Sequence, residues 1–267
     1  GGVLCRCTGY RKIVAAVCDA WADAPRPAPV PAGRAVGAPV ARLDGPPKVT
    51  GADVFGADRW PAGALWVHVI RSPHHHADFS FGDLAAWQAA TPGVAAVFTA
   101  ADIPGRNAFG VIPPFADQPA LAVDAARFRG EAVALVALEP GAAEDFDATA
   151  FPVTWEELPA ALDPEAAKSA PAIHPARPGN LLIRGLVRRG DPDAALAAAA
   201  HVAEGAIETA YVEHAYIEPE AGCAYMDGEA LVIHTCTQAP HMDRDDTAVM
   251  LGLPPERVRI VATSTGG

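Results

Sequence analysis

Two cysteines separated by one residue, Cys5-Arg6-Cys7, stand at the head of the chain and run through Thr8-Gly9 into a helical pattern. Two thiolates on one tight turn can face a single metal centre. On spacing alone zinc and iron–sulfur are both open, since thiolates suit either. The surroundings favour a metal site: the approach is glycine-rich, Thr8-Gly9 turns the chain, and backbone N–H groups at a helix N-terminus stabilise anionic sulfurs. Two ligands do not complete a site, so the remaining ones are expected elsewhere. Glu213, His214 and Glu218 form a metal-like cluster, and His74-His75-His76 a second tract read more simply as a solvated turn. Gln238, from its own surroundings, reads as a strand-end amide satisfying loop backbone. Gly266-Gly267 would permit close backbone approach and positive φ.

Several elements must position these groups. Tyr10 to Trp21 carries apolar residues at helical spacing (Ile13, Val14, Val17, Cys18, Trp21), with Cys18 expected as a small buried hydrophobe. The alternating prolines from Pro25 predict an extended linker, without internal hydrogen bonds, through Asp44. Strands are predicted over residues 65–71, 94–99, 132–138 and 151–156, the third buried on both faces. Asp83 is a candidate N-cap for a helix that Pro92-Gly93 ends. After a second break, residues 163–190, Asp191 and Pro192 open an alanine-rich helix to Ala200. Residues 201–210, 221–226, 230–237 and 258–262 read as strands, with Asp227-Gly228 as a tight turn. Residues 243–251 read as a helix with Asp243, Asp245 and Asp246 as helix-start charge, and Gly252 closes it. Strands and helices mix without a regular βαβ period, which predicts an α+β fold.

Composition bounds the function. Hydrophobic residues make up 51% of the 267, enough for a sizeable core. The net charge of −12 argues against nucleic acid or an anionic membrane surface as partner. No apolar run reaches the length of a membrane span. Five cysteines without a repeating spacing are not a disulfide framework, and a reducing compartment such as the cytoplasm or metal ligation fits better. Cys223 and Cys236 alternate with apolar strand residues and read as packing. The chain begins with Gly1 and not Met, so its natural start is expected upstream and the compartment stays unassigned.

Leu4 to Val14 resembles the end of the helical [2Fe-2S] domain of the xanthine dehydrogenase and aldehyde oxidase family of molybdenum hydroxylases. Lys48–Ala52, Arg71–His74, Pro92–Val94, Ala100–Gly105, Arg129–Ala134 and Glu156–Pro159 resemble that family's α/β-hammerhead domain. Glu213–Pro219 and Thr237–His241 resemble the opening of its molybdopterin-binding domain, and Gly266-Gly267 the start of a glycine loop close to the cofactor. The matches follow family order. The resemblance implies residues 1–24 as the end of a [2Fe-2S] domain, 25–48 as linker, 49–165 as hammerhead domain, 166–190 as linker, and 191–267 as part of a molybdopterin-binding domain.

The same resemblance implies Cys5 and Cys7 as half of the ligands of a [2Fe-2S] cluster. Gln238 would stand beside molybdenum, where a neutral amide can hydrogen-bond a ligand of the metal. Gly266 and Gly267 would approach the molybdopterin-type cofactor, and Glu213, His214 and Glu218 would form a pocket wall and not a metal site. The intact enzyme would hydroxylate an aldehyde or N-heteroaromatic substrate with water as oxygen source. Cluster and hammerhead segments adjoin with no flavin domain between them, implying an external electron acceptor such as a cytochrome or quinone. Homo-oligomerisation is left open. Two alternatives stand: a truncated scaffold without catalysis, and a relative with other chemistry, such as a carbon monoxide dehydrogenase.

Overall fold

The computed structural model describes residues 9–22, 29–38, 40, 42–212 and 220–264. Two compact units emerge, Gly1–Asp53 and Val54–Gly267. In the first, Gly9 takes φ 64° and Tyr10 φ 56°, making the expected turn into α1 (Arg11–Cys18). The helix is shorter than its apolar spacing predicts, and none of its residues is buried. Cys18 is therefore exposed, against expectation, because no described residue covers the Ile13–Val14–Val17 stripe beside it.

Residues 31–38 also differ from an extended linker. Arg34 N donates to Pro31 O at 3.1 Å and Ala38 N to Ala35 O at 3.2 Å. These turns are permitted by Gly33 and Gly37 at φ 77° and 75°. A short helix α2 (Gly45–Thr50) follows, with proline in its first turn and Gly51 as left-handed cap. The expected end of the linker after Lys48 thus falls inside a helix.

The second unit holds β1 (Trp66–Arg71), β2 (Ala77–Phe81), α3 (Leu84–Ala90), β3 (Val94–Thr99), β4 (Ala125–Ala126), β5 (Ala132–Leu138) and β6 (Val153–Glu157). Helices α4 (Pro164–Ala167) and α5 (Pro192–Ala198) follow, then β7 (Gly222–Asp227), β8 (Ala230–Thr235), α6 (Pro240–Leu251) and β9 (Val258–Ala262). Content is mixed α and β, as predicted. Strands β1, β5 and β3 form one sheet with β5 central; β4, β2 and β6 form a second. The apolar run of β5 arises from that central place between two antiparallel neighbours.

One face of the first sheet contributes Ile70, Ala134, Val136 and Leu138 to the core. Phe79, Phe81, Trp87, Phe151 and Trp155 close that core, with Phe79–Trp155 and Trp87–Phe151 ring centroids 5.5 and 5.1 Å apart. Asp83 caps α3 by accepting from Ala86 N at 2.9 Å, and Asp191 does the same for α5 through Ala194 N.

Two of the motifs noted in the sequence meet in space. Ser72 N donates to Glu131 O and Gly130 N to Ser72 O, both at 2.9 Å, while Arg71 Nη1 donates to Gly130 O at 2.8 Å. Ser72 and Glu131 are the buried polar residues of the described core. The Glu131 carboxylate is satisfied by Arg127 N at 2.5 Å. Residues 71–74 and 129–131 are thus a structural clasp.

The expected strand over residues 201–210 does not form. The segment is exposed, with Ile207 at 95% of its free accessibility. No described strand pairs with it, and unpaired extended backbone remains on water; Gly205 weakens it further. Residues 221–226 and 230–237 do pair, as β7 and β8, although β8 ends at Thr235. The hairpin loop is Gly228-Glu229, one residue later than expected, with Gly228 at φ 60°.

Candidate cofactor-facing site

Strand β9 runs parallel to β8, from Leu231↔Val258 to Thr235↔Ala262. Parallel strands joined through a helix bring their carboxyl ends to one edge, where connecting loops diverge and leave groups free for ligands. Here that edge carries Cys236, Thr237, Gln238 and Ala239 after β8, and Thr263 and Ser264 after β9. Thr263 N donates to Thr235 O at 3.0 Å and holds the two exits together.

Gln238 lies exposed on a bend between β8 and α6. The reading of a strand-end amide satisfying loop backbone finds no support, because the hydrogen bonds among the described residues do not use its side chain. Helix α6 begins at Pro240, earlier than expected, so only Asp243 of the three aspartates lies in the first turn. Asp245 instead pairs with Arg244 at 2.6 Å. The Asp243 carboxylate accepts from the Thr237 hydroxyl, which itself accepts from Ala239 N at 2.9 Å.

Thr263 was not legible as a site residue. Its hydroxyl is buried without a hydrogen-bond partner among the described residues, a condition that ordinarily costs about 1–3 kcal/mol and calls for a missing partner. The backbone packs closely around it. A Cβ on Gly56 would lie 2.3 Å from Ala221 O and 3.6 Å from Thr263 Oγ1, and Phe55 bridges to Ser264. An exposed neutral amide and an orphaned hydroxyl on one strand edge fit a polar cofactor held by hydrogen bonds.

The other predicted site residues divide into two groups. Cys5, Cys7, Glu213, His214, Glu218, Gly266 and Gly267 lie outside the described residues. The histidine run is described, as a bend between β1 and β2. His74 Nδ1 is 3.5 Å from Glu157 Oε2, and His76 Nδ1 is 3.0 Å from Pro159 O. Cys223 and Cys236 are half-buried, the former with Sγ 3.6 Å from Arg59 O.

A cavity of about 630 Å³ lies elsewhere, floored by Val69, Phe98 and Leu135 of the first sheet and closed by Thr247, Met250 and Leu251. Those last three belong to the end of α6 opposite Gln238. The helix has 12 residues and is about 18 Å long at the α-helical rise. The cavity is therefore separate from the strand-edge site. Beside it, Gly105 N donates to Met250 O at 2.8 Å and Arg106 N to Val249 O at 3.2 Å, so that the loop adds donors to carbonyls of the last helical turn; Val249 O also accepts from Gly252 N at 3.4 Å. A Cβ on Gly105 would stand 2.0 Å from Val249 O.

Residues 50–159 match the aldehyde oxidase and xanthine dehydrogenase a/b hammerhead domain, and residues 173–267 match the molybdopterin cofactor-binding domain. The chain belongs to the xanthine dehydrogenase and aldehyde oxidase family of molybdenum hydroxylases. Among its relatives, the nicotinate dehydrogenase large molybdopterin subunit of Eubacterium barkeri is 36% identical, over 85% of this chain and 53% of the relative. The aldehyde oxidoreductase of Megalodesulfovibrio gigas is 32% identical over 98% of this chain and 31% of that protein. The crystal structure of the aldehyde oxidoreductase from Desulfovibrio desulfuricans superposes with a TM-score of 0.82 at 28% identity, covering 99% of this chain and 32% of that one. The chain spans about half or less of the length of these family members. The molybdopterin-binding match begins before α5 and includes β7, β8, α6 and β9, so the strand edge bearing Gln238 and Thr263 lies within it.

Proposed function

We propose that this chain is part of a molybdenum-cofactor oxidoreductase that hydroxylates an aldehyde or an N-heteroaromatic substrate with water as the oxygen source. The observation that carries this reading is the β8–β9 carboxyl edge, with an exposed Gln238 amide and a buried, unpartnered Thr263 hydroxyl inside the molybdopterin-binding match. Aldehyde and water give a carboxylic acid, two protons and two electrons; a heteroaromatic C–H and water give the hydroxylated ring with the same yield. The molybdenum–pterin group, when bound, supplies the two-electron redox chemistry.

The chain's own contribution is orientation. Gln238 would donate its amide N–H to the bound group without adding charge, and Thr263 would supply its free hydroxyl. Gly266 and Gly267 would allow close backbone approach. Cys5 and Cys7 would provide half the ligands of a [2Fe-2S] cluster that carries electrons to an external acceptor such as a cytochrome or quinone. Relatives named aldehyde oxidoreductase match nearly the whole chain, which supports an aldehyde as the first substrate class to test and a cluster-bearing segment joined directly to the hammerhead domain.

The test is turnover by the purified full-length protein in ¹⁸O-labelled water with a dye acceptor, alongside metal and flavin analysis. Label in the product, with stoichiometric molybdenum and iron, is the expected result. A molybdenum-loaded protein that leaves both substrate classes untouched, or takes product oxygen from O₂, overturns the activity. Stoichiometric flavin or direct reduction of NAD overturns the proposed electron route.

A further inference from the structure

We propose that Thr237 and Asp243 are positioning residues for Gln238, an inference that rests on the role just given to Gln238. Three hydrogen bonds enclose the residue. The Thr237 hydroxyl donates to Asp243 Oδ2, Ala239 N donates to the Thr237 hydroxyl at 2.9 Å, and Asp243 N donates to Ala239 O at 3.0 Å. Pro240 then fixes its own φ and restricts Ala239 before it. The backbone on both sides of Gln238 is held, while its side chain stays exposed and free for a partner.

Asp243 reaches outside α6 to a side-chain hydroxyl, and Ala239, the N-cap, makes no side-chain cap. A hydrogen bond to an ionised carboxylate is about twice as strong as a neutral one. The pair therefore sets the direction in which Gln238 leaves the strand edge, to the small tolerance that a catalytic amide requires.

The experiment compares Thr237→Val, Thr237→Ser, Asp243→Ala and Gln238→Ala in the full-length holoenzyme. Three quantities are read: amide exchange at Ala239, the paramagnetic molybdenum signal of partly reduced enzyme, and kcat separately from KM. Loss of one hydrogen bond should raise exchange in Thr237→Val and Asp243→Ala about tenfold. Both should alter the molybdenum signal and lower kcat about tenfold with KM little changed, while Thr237→Ser restores all three. Faster exchange with an unaltered signal and kcat overturns the positioning role, as does unchanged exchange. If Gln238→Ala itself leaves the signal unaltered, the role of Gln238 falls and the positioning inference falls with it. An altered signal in Gln238→Ala but not in Thr237→Val removes only the inference about positioning.

Discussion

The hammerhead core and the β8–β9 edge use the same kinds of residue to opposite ends. Around β5, hydrogen-bonding groups are consumed internally. Glu131 is held by Arg127 N and Ser72 by the backbone of residues 130 and 131, while Leu138, Val133 and Val136 are fully buried. At the β8–β9 edge the backbone is equally well tied, yet a side-chain amide and a hydroxyl are left over. A region that satisfies all of its groups has none to offer a ligand. The contrast separates stability from chemistry within one unit, and substitutions on each side should report on one and spare the other.

The largest loss of stability is expected in the core. Leu138→Ala removes a side chain that is 1% exposed and should cost about 3 kcal/mol, read as a lower urea midpoint. An equal loss from any exposed edge residue would break the comparison. Next comes Gly105→Ala, whose added methyl would meet Val249 O at 2.0 Å. Displacing the loop that caps α6 should cost about 2 kcal/mol and raise amide exchange at Gly105 and Arg106. Unchanged exchange there would show that the loop yields without leaving the helix.

A smaller effect follows from pH where residues 173–180 meet residues 115–117. Arg177 is hydrogen-bonded to Asp117 at 2.5 Å and lies over the Phe115 ring, and it holds the Asp117 carboxyl below its usual range. Burial, then the charges of Arg127 and Arg177, lowers the affinity of His174 for a proton. Both folded values are depressed, so both contributions are present above the unfolded values and lost as pH falls. For His174 the loss begins below about pH 6.5 and for Asp117 below about pH 3.9. Protection factors for amide exchange at Ile173 and Asn180, taken relative to the intrinsic rate at each pH, should therefore fall in two steps on acidification, and His174→Gln should remove the upper one. A single acid step in the wild type would show that His174 does not take part.

The smallest change in stability belongs to Gln238→Ala, expected within about 0.5 kcal/mol by the same urea titration, because the amide is exposed and bonded to no described group. A loss comparable to that of Leu138→Ala would mean that Gln238 serves the fold.

Much of the core was legible because its signals are local. The apolar run of β5, the Asp83 cap, the Pro92-Gly93 stop and the Gly252 cap each depend on residues within a turn or two of the feature. The second sheet was harder. β4 has only two residues, and the alternation of β2, with Ala77, Phe79 and Phe81 against Asp78 and Ser80, is five residues long and is completed by Phe79 facing Trp155 across the pairing with β6. At the site, Gln238 was found through the motif around it, whereas Thr263 shows no signal in sequence: an orphaned hydroxyl is defined by the absence of neighbours. Asp243 was recognised as helix-start charge, but its partner is a side chain six residues away, outside the helix.

The sequence by itself determined which segments are apolar, where several helices begin and end, and the family to which the chain belongs, because motif order and capping chemistry are written along the chain. Only the tertiary structure decided what became of each segment. Among the described residues the helical stripe of Cys18 is uncovered and residues 201–210 find no partner strand, while Gly105 closes the end of a helix far along the chain and a threonine–aspartate pair stiffens the turn of Gln238. Burial and hydrogen bonding are properties of pairs, and distant pairs are formed only by the fold.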